Sequence, residues 1–163
     1  MYRRGVFAPT LLLMLAHAAP LWAQGVDGFV AAGRYEEAAA ALADAGPEEA
    51  QAGAMQIYEH ANREHFRSGA WAEAVRGFAA ARRVPHLTER QRQMFDFWHA
   101  SALVNTVSGD TIQPPRLTNE EAIATLEQAY DLLLSSRDYS WGINMSSMIP
   151  TVGRMLDQRL QGR

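Results

Sequence analysis

A short pattern occurs twice in this chain at a spacing of 36 residues, and few folds accommodate it. Gly69-Ala70-Trp71-Ala72-Glu73-Ala74 is followed by Phe78, Ala81 and Pro85. Gly33-Arg34-Tyr35-Glu36-Glu37-Ala38 is followed by Leu42, Ala45 and Pro47. Each copy opens on a glycine and runs through an aromatic residue into an alanine-rich stretch. Its apolar positions recur three and four apart, the spacing of one helix face. Glu120-Glu121-Ala122, with Leu126 and Ala129, repeats the pattern without its glycine and aromatic, 48 residues after the second copy instead of 36. A period of this length marks a repeated supersecondary unit that buries its apolar face only by stacking on its neighbours.

The pattern resembles the second helix of the tetratricopeptide repeat, a helix–turn–helix unit of about 34 residues. The resemblance spans about residues 26–135 and is strongest at 55–85. It implies an all-α chain: a helical-hairpin solenoid of about three such repeats, closed by a C-terminal capping helix. The expected organisation is a signal peptide at 1–23, repeats at 24–140 with an insert loop at 105–117, and the capping helix at 141–163. The resemblance also implies a non-catalytic interaction module, an adaptor, scaffold or assembly factor. Its partner would lie along a concave groove lined by the first helix of each pair.

The first 23 residues carry a separate signal. Arg3 and Arg4 precede an apolar run from Val6 to Leu15, and Pro20-Leu21-Trp22-Ala23 offers a cleavage site before Gln24, with Ala18 and Ala19 as alternative cutting points. This is the layout of a secretory leader, whose apolar core is too short to span a bilayer. The chain lacks cysteine, which excludes a lipid-anchored precursor, disulfides and thiolate metal sites. All 15 cationic residues are arginine, and with abundant alanine this fits the codon bias of a GC-rich bacterium. The expected location is the bacterial periplasm, with secretion as the second choice. Without residues 1–23, 13 arginines face 18 acids, a net charge of −5. Such a balance is wrong for nucleic acid, whose binders present a basic face. The expected partner is another envelope protein or peptide segment, and a structural homo-oligomer is the alternative.

Along the mature chain, Asp27 to Ala32 forms a stub of helix and Tyr35 to Ala45 a second one, stopped by Gly46-Pro47. Glu48 to Ser68 reads as a long first helix with Ala52, Met55, Tyr58, Ala61, Asn62 and His65 on its packed face. Trp71 to Arg83 follows, with Ala74, Phe78 and Ala81 inward. Thr88-x-x-Gln91 and Thr118-x-x-Glu121 are capping boxes that open two further helices. The first carries Phe95, Trp98, His99, Ala102 and Leu103, and the second Ile123, Leu126, Ala129, Tyr130 and Leu133. Ser108-Gly109-Asp110 and Pro114-Pro115 predict the loop at 105–117. Met148, Val152, Met155, Leu156 and Leu160 line one face of a last helix, which Pro150 either starts near Ser147 or kinks.

If Tyr58, Ala61, Asn62 and His65 pack inward, the same period turns Gln56, Glu59, Arg63, Phe66 and Arg67 towards the groove. Arg63 and Arg67 stand one turn apart, and two planar guanidinium groups suit a carboxylate or an acidic peptide. A second basic group, Arg76, Arg82, Arg83, Arg90 and Arg92, surrounds the next turn. His60, Glu64 and His65 fall short of the three or four converging ligands of a zinc site, so no metal or cofactor is expected. The chain has no G-x-S-x-G and no phosphate-binding glycine loop. A hydrolase with paired carboxylates is the distant alternative.

Overall fold

The structure, a computed structural model, describes residues 21–109, 117–139 and 145–162. Among the described residues the chain is all-α, with no strand. The leader expected at 1–23 lies outside them except for Leu21 to Ala23, which are helical.

Helix α1 (Leu21–Ala31) is longer than the expected stub. It ends at Gly33, whose φ of 68° lets its N–H reach the Val30 carbonyl at 2.9 Å. A side chain is strained in that left-handed region, so glycine suits the turn. Helix α2 (Tyr35–Ala41) follows at once. It stops four residues earlier than expected, because Leu42, Ala43 and Ala45 close tighter i→i+3 bonds to the carbonyls of Ala39, Ala40 and Leu42. Such bonds satisfy carbonyls left over at a helix end.

Helix α3 (Pro47–His60) begins with proline at its first turn and Glu48 and Glu49 beside it, both favourable at a helix N-terminus. The winding then changes. Ala61–Phe66 is a π-helical turn, with Arg67 N–H bonded to the Asn62 carbonyl at 3.1 Å and Ala70 N–H to His65 at 2.9 Å. Gly69, at φ 82°, ends it as Gly33 ends α1. The expected single α-helix over 48–68 is thus corrected, and so is its packed face. Gly53, Ala54, Ile57, Tyr58, Ala61 and Asn62 are buried, while Ala52 is exposed and Met55 and His65 are only partly covered.

Helix α4 (Trp71–Arg83) matches its expected bounds. Ala38 of α2 and Ala74 of α4, the equivalent alanines of the two motif copies, are both fully buried. Gly77 is where α4 and the π turn come closest: a β-carbon there would collide with the Ala61 Cβ and meet Tyr35 Cε2 at 3.2 Å. Alanine normally gains about 1 kcal/mol over glycine inside a helix, but overpacking costs about 1–3 kcal/mol. Gly77→Ala is therefore expected to lose about 1–2 kcal/mol in urea unfolding. A gain would mean that α4 can move away from the π turn.

Helix α5 (Glu89–Gly109) opens on the capping box read from sequence: Gln91 N–H bonds Thr88 Oγ1 at 3.2 Å and Thr88 N–H bonds Gln91 Oε1 at 3.0 Å. It runs through Asn105 to Gly109, which were expected to be loop. Val107 is fully buried and Thr106 Oγ1 donates back to the Ala102 carbonyl, so burial outweighs weak helix formers. Residues 110–116 of the expected insert lie outside the described residues. Helix α6 (Asn119–Ser135) has its Thr118–Glu121 capping box complete. Helix α7 (Met145–Gln161) starts before the expected Ser147 and holds Pro150 in its interior, with the ring exposed.

Each helix packs on the next from α3 to α7, and α1 on α2; in addition α1 lies against α3, and α2 against α3 and α4. Two apolar clusters result. One joins α1–α4 with Phe95 and Ala102 of α5. The other joins Phe97, Ala100, Leu103 and Val107 of α5 with α6, α7 and Tyr139. Val75, Met94 and Trp98 touch both. No helix among the described residues is long and apolar enough to cross a membrane.

Candidate functional site

Because α1 lies beside α3, their outer faces leave a shallow groove of about 270 Å³. Asp27, Val30 and Ala31 of α1 form one wall; Gln56, Glu59, His60 and Arg63 form the other. Asp27, Val30 and Ala31 are three and four residues apart, so one helix face presents them together. Gln56 Nε2 donates to Asp27 Oδ1 across the groove and fixes its width.

Three of the five residues expected to share a groove meet here: Gln56, Glu59 and Arg63. Phe66, the last residue of the π turn, and Arg67, just after it, do not line the groove. Phe66 packs in an aromatic cluster, its ring centroid 5.2 Å from Trp71, 5.3 Å from Trp98 and 6.0 Å from Phe78. Arg67 Nε donates to Asn62 Oδ1 at 3.2 Å. Arg63 Nε donates to Glu64 Oε1 at 2.6 Å, and that bond holds the Glu64 carboxyl below its ordinary pKa. The two arginines therefore do not converge on one anion. Asp27, Val30, Ala31 and His60 were missed as groove residues, since 26–32 read only as a stub and His60 only as a failed metal ligand.

His60 joins the groove to the interior. Its Nδ1 lies 2.8 Å from the hydroxyl of Tyr35, a fully buried residue. Burial pushes the Tyr35 hydroxyl up to about 12, so it stays a phenol. Burial also lowers the His60 pKa, against the opposing pull of Glu64. His65 completes the group, 5.9 Å from the Tyr35 ring and 6.0 Å from His60 in edge-on geometry. Among the described residues no three His, Asp or Glu side chains converge as a metal site.

A second polar group is buried where α4, α5 and α6 meet. Asp96 Oδ1 accepts from Arg82 Nε, and Asp96 Oδ2 accepts from Ser135 Oγ at 2.8 Å. His99 lies one turn further along α5, 3% exposed, with no hydrogen-bond partner at Nδ1. Burial first, then the Arg82 charge, lowers its pKa to about 4. Ser101 Oγ donates to the Phe97 carbonyl at 2.9 Å, so Asp96, His99 and Ser101, close in sequence, serve separate partners. The second basic group is divided likewise: Arg76 pairs with Glu73, Arg82 with Asp96 and Arg92 with Glu89, and Arg83 Nε bonds the Ala79 carbonyl.

No known protein family matches the chain, and neither a curated protein nor a solved structure does.

Proposed function

We propose that this chain is a non-catalytic protein–protein interaction module, an adaptor or assembly factor of the bacterial cell envelope, built from tetratricopeptide-like hairpins. Its partner segment docks in the α1–α3 groove. The observation that carries this role is the side-by-side packing of α1 on α3 and α2 on α4. Equivalent helices of the first two hairpins thus lie side by side, the arrangement that a stacked repeat requires. The repeated glycine turns at Gly33 and Gly69 add to it. This packing leaves the outer faces of α1 and α3 side by side, and the groove between them is where the partner segment docks. Location in the envelope rests on the leader-like composition of residues 1–23.

Ala31 is exposed on the wall of the groove, and a surface substitution there normally shifts stability by no more than about 0.5 kcal/mol. Ala31→Trp fills the groove with an indole. Cross-linked capture from the native envelope is expected to yield a partner with the wild-type chain and to lose it with Ala31→Trp, at unchanged helicity and midpoint. Equal capture by both chains would remove the groove from the account.

A further inference from the structure

We infer that Met148 and Met155 form a paired oxidation site, at which peroxide converts both thioethers to sulfoxides and releases α7 from α6. The inference does not depend on the α1–α3 groove. Both side chains are only partly buried, and both pack against the second apolar cluster. They stand seven residues apart, two turns of α7, so one helix face carries them together. Between them Val152 is 1% exposed. Gly153 brings the backbone near Tyr130, where a β-carbon would lie 3.9 Å from Cε2. Each sulfur thus helps to close the seam with α6 and stays within reach of a small oxidant.

Met55 and Met94 are partly buried as well, so exposure does not separate the four. Local opening does. Met55 belongs to α3, against which α1, α2 and α4 all pack, and Met94 touches both apolar clusters. Helix α7 is the last of the described helices and packs chiefly on α6. Pro150 in its interior removes a main-chain hydrogen bond, and Gly153 is a poor helix former. Burial on α6 therefore holds α7 in place more than its own winding does. Asn119 of α6 adds hydrogen bonds with Arg159 at 3.3 and 3.5 Å, near the C-terminal end of α7.

The chemistry balances with hydrogen peroxide as the oxidant. A sulfur lone pair attacks one peroxide oxygen, the O–O bond breaks and an S–O bond forms. The departing hydroxide takes the proton of the transferred oxygen and leaves as water. Sulfur loses two electrons and peroxide gains them. The sulfoxide is polar, so it no longer suits an apolar seam, and two on one face weaken the same contact.

The test treats the full chain with hydrogen peroxide and reads oxygen uptake at each methionine by tandem mass spectrometry. Amide hydrogen exchange then reports on α7. Met148 and Met155 are expected to oxidise about fivefold or more faster than Met55 and Met94. Afterwards the α7 amides are expected to exchange about tenfold or more faster, while those of α3 and α4 keep their protection. Met148→Leu with Met155→Leu, which keeps apolar volume, is expected to leave α7 docked and to abolish the effect of peroxide on its amides. Equally fast oxidation of Met55 or Met94 would overturn the proposal, and so would unchanged α7 protection in the fully oxidised chain. Loss of α7 protection in the peroxide-treated leucine variant would place the cause elsewhere and overturn it too.

Discussion

Phe78→Ala is expected to cost about 3–5 kcal/mol of folding stability, a large share of the roughly 5–15 kcal/mol that holds a domain of ordinary size together. Phe78 is fully buried, with the Tyr58 ring 5.6 Å away and the Phe66 ring 6.0 Å away. These neighbours are themselves held: Tyr58 also stacks on Phe95 at 5.5 Å and Phe66 on Trp71 at 5.2 Å. Rings braced from both sides cannot collapse into the space left by a phenyl group, so most of the cavity remains. The loss should appear as a lower urea midpoint with unchanged slope. Phe78→Leu, which keeps most of the volume, should cost about 1.5 kcal/mol or less. A midpoint loss under about 1 kcal/mol for the alanine variant would show that the cluster is soft and can repack.

Acid should weaken the protein well before its carboxylates titrate, through His99. Its folded pKa of about 4 lies below the ordinary 6.5, so the neutral ring is the form that the fold favours. The contribution is therefore complete above pH 6.5 and is lost progressively as the pH falls from 6.5 towards 4. At about 1.4 kcal/mol per unit, the full loss is about 3 kcal/mol, with no large discount because His99 is 3% exposed. Arg82 and Arg83 oppose protonation and Asp96 favours it, but burial dominates. His60, also lowered by burial, adds to the same slope. Urea unfolding at a series of pH values should show the decline in the wild type. His99→Gln should flatten most of it. A slope unchanged by that replacement would sink the assignment to His99.

What was legible in the sequence was what short-range chemistry decides. Gly33 and Gly69 are turn glycines because only a few neighbouring bonds are involved, and the two capping boxes close within four residues. The alanines of the motif mark close helix contacts because a methyl group is all that fits there. The π turn was not legible: α4 approaches it closely at Gly77, a tertiary contact that no local pattern reports. Every face assigned by counting through residue 61 inherits that slip. Gln56, Glu59 and Arg63 stayed together because they lie before the slip or at its start, while Phe66 ends the turn and Arg67 follows it. The α1 wall was lost for another reason, since three residues on a short segment look like nothing until a neighbouring helix lies across them. Asn105 to Gly109 was misread because the tertiary burial of Val107 overrides composition.

The division of α5 between the two apolar clusters has a consequence for how the molecule comes into being. A polypeptide emerging N-terminus first brings out α1 to α4 together, yet their cluster still lacks Phe95 and Ala102 of α5. When α5 follows, it completes that first half and at the same moment bares Phe97, Leu103 and Val107, whose cover is made later from α6 and α7. A chain that folds as it emerges would therefore pass through an interval in which the first cluster is complete while one face of α5 still waits for its cover. In that interval the growing chain is most exposed to aggregation and to capture by chaperones.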